Sequence, residues 1–124
     1  MTYDLNNIFA KILRGEIPNK TVYENDHVLA FEDINPQAPV HVLIIPKEPY
    51  VSMMDFSERA TQEEQSALIK AVGEVARIKN ISTDGFRSIA NTGEHGMQEV
   101  PHLHIHILGG RRLGQMVKPL KSRP

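Results

Sequence analysis

Between residues 102 and 108 the chain reads His-Leu-His-Ile-His-Ile-Leu. Histidine alternates with an aliphatic residue, and a period of two belongs to a β-strand with one buried face. In a strand over residues 103–108, with His102 just ahead of it, the imidazoles of His102, His104 and His106 project from one face. Leu103, Ile105 and Ile107 then enter the core. Residues 40–45 form a second buried strand, ended by Pro46, with His41, Leu43 and Ile45 on one face.

The rest of the chain supplies elements around these two. Residues 7–14 read as a short helix, with Gly15 as its stop and Pro18 barring continuation. Residues 20–24 and 28–32 read as strands about a turn at Asn25-Asp26. Pro36 and Pro39 make residues 33–39 a rigid connection. One long helix is predicted over about residues 57–79, with Thr61-Gln-Glu-Glu64 as a capping box and Leu68, Val72, Val75 and Ala76 as its apolar stripe. Residues 86–90 form a further strand, and 91–100 a glycine-bearing loop. Short hairpins and one long helix predict an α+β fold with a mainly antiparallel sheet.

Composition removes several function classes. The 124 residues suit one domain, and there is no cysteine. Disulfide scaffolds, cysteine-ligated zinc and cysteine nucleophiles are therefore excluded. A formal net charge of -1 gives no electrostatic footprint for nucleic acid. No apolar run approaches the ~20 residues of a membrane span. The acidic, broken N-terminus does not read as a signal peptide, so a cytoplasmic location is expected. Charge is unevenly spread: no acidic residue follows Glu99, and residues 113–124 read as a basic tail after a domain over residues 1–112.

The histidine spacing bears on chemistry. Same-face neighbours in a strand lie about 6.6–7 Å apart, whereas one metal holds its nitrogen ligands at about 2.0–2.1 Å. Two neighbours could share a metal only with a third ligand from elsewhere, such as His41. A set of hydrogen-bonded surface histidines is another reading. Nucleophilic catalysis fits best, and neither metal nor cofactor is expected. A neutral imidazole nitrogen, present at cellular pH, can attack phosphorus and form a phosphoramidate that water later hydrolyses. Neighbouring imidazoles can orient it and protonate a leaving group. The preceding loop offers the amides of Asn91 and Gln98 but no Lys or Arg, which favours a single phosphoryl group over a polyphosphate.

The run 102–108 resembles the histidine triad motif. Ile8-Phe9-Ala-Lys-Ile12, Glu16-Ile-Pro18, Ala30-Phe-Glu-Asp-Ile34, Pro36-Gln-Ala-Pro39, His41-Val-Leu-Ile-Ile-Pro46 and Gly109-Gly-Arg111 extend the likeness over residues 6–112. The whole is similar to the Hint branch of the histidine triad (HIT) family, in its bacterial form. That resemblance implies a five-stranded sheet with one short and one long helix, dimerising into a ten-stranded sheet. It also implies a purine nucleotide pocket in each subunit and hydrolysis of nucleoside 5′-phosphoramidates, such as AMP-amines or aminoacyl-AMP, through a nucleotidyl-histidine.

On the same resemblance His104 is the nucleophile, His41 and His102 orient it, and His106 faces the leaving group. Asn91 and Gln98 donate near the phosphoryl centre. Asp33 accepts the ribose hydroxyls, and Ile8, Phe9, Ile12, Phe31 and Ile34 wall the base. The alternatives are a dinucleoside polyphosphate hydrolase or a nucleotide-binding regulatory module. Met97, Glu99 and Pro101 depart from the eukaryotic pattern, which has a glycine, a serine and an aromatic residue there.

Overall fold

The structure, a computed structural model, describes residues 2–120. Helix α1 (Ile8–Leu13) is capped by Asn7, whose side chain accepts from the Ala10 N–H. It ends where Gly15 takes φ 79°, with Glu16 N–H on the Lys11 carbonyl and Gly15 N–H on the Ile12 carbonyl. Strands β1 (Thr21–Glu24) and β2 (Val28–Glu32) form a hairpin, with the Asn25 side chain accepting from His27 and Val28. Strand β3 (Val40–Pro46) follows the proline connection. Helices α2 (Met53–Arg59) and α3 (Gln62–Ile78) precede β4 (Phe86–Ile89) and β5 (Ile105–Gly109). The five strands lie in the order β1-β2-β3-β5-β4, every pair antiparallel.

Two expectations are corrected. The single helix over 57–79 is two helices. Ala60 is extended (φ -69°, ψ 146°) and ends α2, and Thr61 starts α3 with a complete capping box. The long helix of the expected pair is thus α3 alone, and α2 is an additional element. The last strand also starts later than residue 103. Its ladder with β3 begins at Ile105, opposite Ile44. The cause is local: Leu103 N–H bonds the Tyr50 carbonyl at 2.8 Å, outside the sheet, and Pro46 has no N–H to offer a partner. His102 therefore sits in a bend and His104 on the chain just ahead of β5, while His106 lies within it.

The side-chain alternation survives this shift. Leu103, Ile105 and Ile107 join Val28, Ala30, Val42 and Ile44 under the buried side of α3, which contributes Leu68, Ala71, Val75 and Ala76. On the opposite face α1 covers less: Phe9 and Ile12 meet Leu29, Phe31, Leu43 and Ile45. β5 leaves the sheet through Gly110, at φ 92°, where an added Cβ would stand 2.8 Å from Pro39. The tail turns along the β4 edge, with the Arg87 guanidinium donating to the carbonyls of Gly114 and Gln115. Lys121 and Arg123 of the basic tail lie outside the described residues.

Candidate active site

The α1 face of the sheet gathers four histidines. In the β3·β5 ladder Leu43 stands opposite His106 and His41 opposite Leu108, which makes His41 and His106 diagonal neighbours on one face. Their rings meet through His41 Nε2 and His106 Nδ1 at 2.9 Å. The ring centres of His104 and His106 are 5.1 Å apart, and Phe9 stands edge-on to His104 at 4.9 Å.

Hydrogen bonds assign the tautomers, because a carbonyl only accepts and a backbone N–H only donates. His104 Nδ1 faces the His102 carbonyl at 2.8 Å, so that nitrogen carries the proton and Nε2 keeps a free lone pair. His102 Nε2 donates to the Pro46 carbonyl at 2.8 Å, so its Nδ1 accepts from the Tyr3 hydroxyl. His41 Nδ1 accepts from the Gln37 N–H at 3.0 Å, so its Nε2–H points to His106 Nδ1. The remaining proton of His106 is then on Nε2. Among the described residues no fully buried side-chain nitrogen or oxygen lacks a partner. The free Nε2 of His104 is therefore reachable from outside.

Burial keeps these rings neutral. It pushes His102 down to about 4, with the His102–Pro46 bond opposing. His106 is also pushed down to about 4, by burial first and then by His104 and His41. His41 and His104 are lowered chiefly by burial, with Asp33 opposing in both and Glu99 also opposing in His104. The Asp33 carboxylate lies 3.4 Å from His41 Nε2 and accepts the Asn35 N–H through its other oxygen.

Asp33, His41 and His106 bring one ligand-type atom each within 4.8 Å of one another. The donor chemistry does not suit a cation. A metal-bound histidine normally donates its second N–H outward, whereas His41 Nδ1 is committed to accepting from Gln37. Metal on Nε2 would leave this ring without a proton on either nitrogen.

A family model described as "HIT domain" matches residues 14–113. The chain belongs to the HIT family. It is 47% identical over 110 residues to the purine nucleoside phosphoramidase of Escherichia coli K12, covering 89% of this chain and 92% of that protein. It is 61% identical over 116 residues to an uncharacterised 13.2 kDa HIT-like protein of Azospirillum brasilense, covering 94% and 95% of the two chains. The solved histidine triad protein of Clostridium difficile superposes with a TM-score of 0.81 at 42% identity, covering 94% of this chain and all of that one.

The HIT scaffold places the other candidate residues unequally. Phe9, Ile12 and Phe31 are buried together beside the histidines, with Phe9 and Phe31 edge-to-face at 5.7 Å. Ile8 is 41% exposed and Ile34 is 86% exposed, so both present apolar surface to solvent. Asn91 is half-buried two residues beyond the end of β4. Gln98 is not a free donor: its Nε2 donates to the carbonyls of Val51 and Val100 at 2.6 and 3.0 Å, and its Oε1 accepts the Gly93 N–H. Met97 adopts φ 59°, in the left-handed region that favours glycine.

Two supports were not visible in the sequence. The segment before α2 clamps the triad strand, with Tyr50 O holding Leu103 N–H and Val51 O holding Gln98. Tyr3 reaches His102 across 99 positions of sequence, a contact that no local motif announces.

Proposed function

We propose that this HIT protein hydrolyses purine nucleoside 5′-phosphoramidates through a nucleotidyl-His104 intermediate. The observation that carries this reading is the open lone pair on His104 Nε2, aimed by the Nδ1–H bond to the His102 carbonyl. The 47% identity to a purine nucleoside phosphoramidase supports it. In the first step His104 Nε2 bonds to phosphorus and the P–N bond of the substrate breaks. The departing nitrogen takes a proton from solvent and leaves as the amine, guided by a hydrogen bond from His106 Nε2–H. His41 Nε2–H, bonded to His106 Nδ1, holds His106 in the tautomer that keeps its donor on Nε2, and the Asp33 carboxylate lies 3.4 Å from His41 Nε2. In the second step water attacks phosphorus, the P–Nε2 bond to His104 breaks, and the water's proton returns to solvent. The products are the nucleoside monophosphate and the free amine.

In the same reading Phe9, Ile12, Phe31, Ile8 and Ile34 wall the base, and Asp33 accepts the ribose hydroxyls. Asn91 donates to the phosphoryl oxygens, and Gln98 fixes the loop rather than contacting substrate. A homodimer completes the proposal. β4 ends the sheet, with the tail held beside it by Arg87 and with Phe86 exposed, and a second copy would cover that surface.

The test is turnover of adenosine 5′-phosphoramidate beside diadenosine polyphosphate. The amide substrate should turn over faster, and His104→Ala should lower kcat by at least about a thousandfold while AMP still binds. Preference for the polyphosphate, or near-normal turnover by H104A, would overturn the reading.

A further inference from the structure

Tyr3 lies N-terminal to the stretch that matches the HIT model, yet it contacts the triad directly. Its hydroxyl stands 2.5 Å from His102 Nδ1, and its ring meets the imidazole edge-on at 5.5 Å. The chain is led there by a turn locked to α1. The Asp4 carbonyl accepts from both the backbone and the side chain of Asn7, which is buried and also caps the helix. Arg14 adds a bond to the Leu5 carbonyl.

The His102 ring is fully buried, so both its nitrogens require partners. Pro46 O accepts from Nε2, and among the described residues Tyr3 alone supplies a donor to Nδ1. Without the hydroxyl every state of the ring is unsatisfied. The Nε2–H form leaves Nδ1 bare. The Nδ1–H form turns an Nε2 lone pair on the Pro46 carbonyl. The cation leaves a buried N–H unpaired and a buried charge. Residue 102 is also the one whose carbonyl orients His104.

We propose that Tyr3 is a positioning residue: its hydroxyl holds His102 in a single tautomer, and His102 in turn presents the carbonyl that aims the Nε2 of His104. This rests on His104 being the nucleophile. Tyr3 does not touch the reacting atoms, so its removal should slow the chemical step without weakening substrate binding.

The experiment is Tyr3→Phe, which deletes one oxygen and keeps the ring. With adenosine 5′-phosphoramidate, kcat should fall about tenfold while KM stays within twofold. In 15N-imidazole NMR spectra, the wild type should show His102 with a bare Nδ1 and a protonated Nε2. Y3F should show a mixture or exchange broadening at that ring alone. Wild-type kcat in Y3F, a KM rising in step with any loss of kcat, or an unchanged single His102 tautomer would each overturn the proposal. If the wild type itself leaves this substrate intact, the proposed function fails, and the NMR comparison still decides whether Tyr3 sets the tautomer.

Discussion

The two faces of the sheet are built on opposite terms. Under α3 the side chains are almost wholly apolar, and Val28, Ala30, Val42, Ile44 and Ile107 have no exposed surface. Under α1 a smaller apolar cluster borders four histidines, of which three are buried. The α3 face gains stability from apolar area, at roughly 25 cal/mol per Å². The α1 face buries imidazoles, each of which would be costly without its hydrogen bonds. One strand pair, β3 with β5, serves both, because alternate residues point to opposite faces.

That contrast predicts separable defects. The largest stability change belongs to the α3 face. Ile44→Ala should destabilise by about 2–5 kcal/mol, read in a denaturant titration, with kcat per folded molecule unchanged. His104→Ala should do the reverse, with activity lost and stability nearly kept. If both variants damaged both quantities equally, the faces would not be independent.

A smaller effect should appear with pH. His102 and His106 titrate near 6.5 when unfolded and are pushed down to about 4 when folded. Between those values the unfolded chain binds more protons, so stability rises with pH. The contribution is fully present above about 6.5 and is lost as pH falls toward about 4. For His102, which is wholly buried, it is on the order of 3 kcal/mol. Urea midpoints measured from pH 7 to pH 4 should fall over that window. A flat profile would show that the α1 face does not hold its histidines neutral. The acid limb of kcat/KM should likewise lie below the ordinary histidine range, because His104 is lowered by burial.

Local signals were legible where periodicity and punctuation agreed. Strand β2 and the alternation of β3 followed from runs of aliphatic residues bounded by turn residues. The end of helix α1 followed from Gly15 and Pro18, whereas Asn7, read as its first residue, is its cap. The division of α2 from α3 was signalled by the capping box at Thr61, but no glycine or proline stands between them. The late start of β5 was hidden because alternation of side chains continues beyond the hydrogen-bonded ladder. The bond from Leu103 to Tyr50 that ends the ladder is long-range.

The site divides in the same way. The histidines are legible because their spacing is local and matches a motif. Gln98 shows its residue type but not its partners, and only the fold turns its donors to Val51 and Val100. Tyr3 carries no motif, and the turn locked at Asn7 is what brings it to His102.

The most direct measurement traps the reaction in mid-turnover without acid and weighs the peptide that carries His104. A nucleoside monophosphate adduct on that peptide, absent from His104→Ala, together with retained configuration at a chiral thiophosphoramidate, is the expected result of two successive displacements at phosphorus. Unmodified protein throughout turnover, with inverted configuration, would mean that water attacks directly and that the ring nitrogen of His104 never bonds to phosphorus.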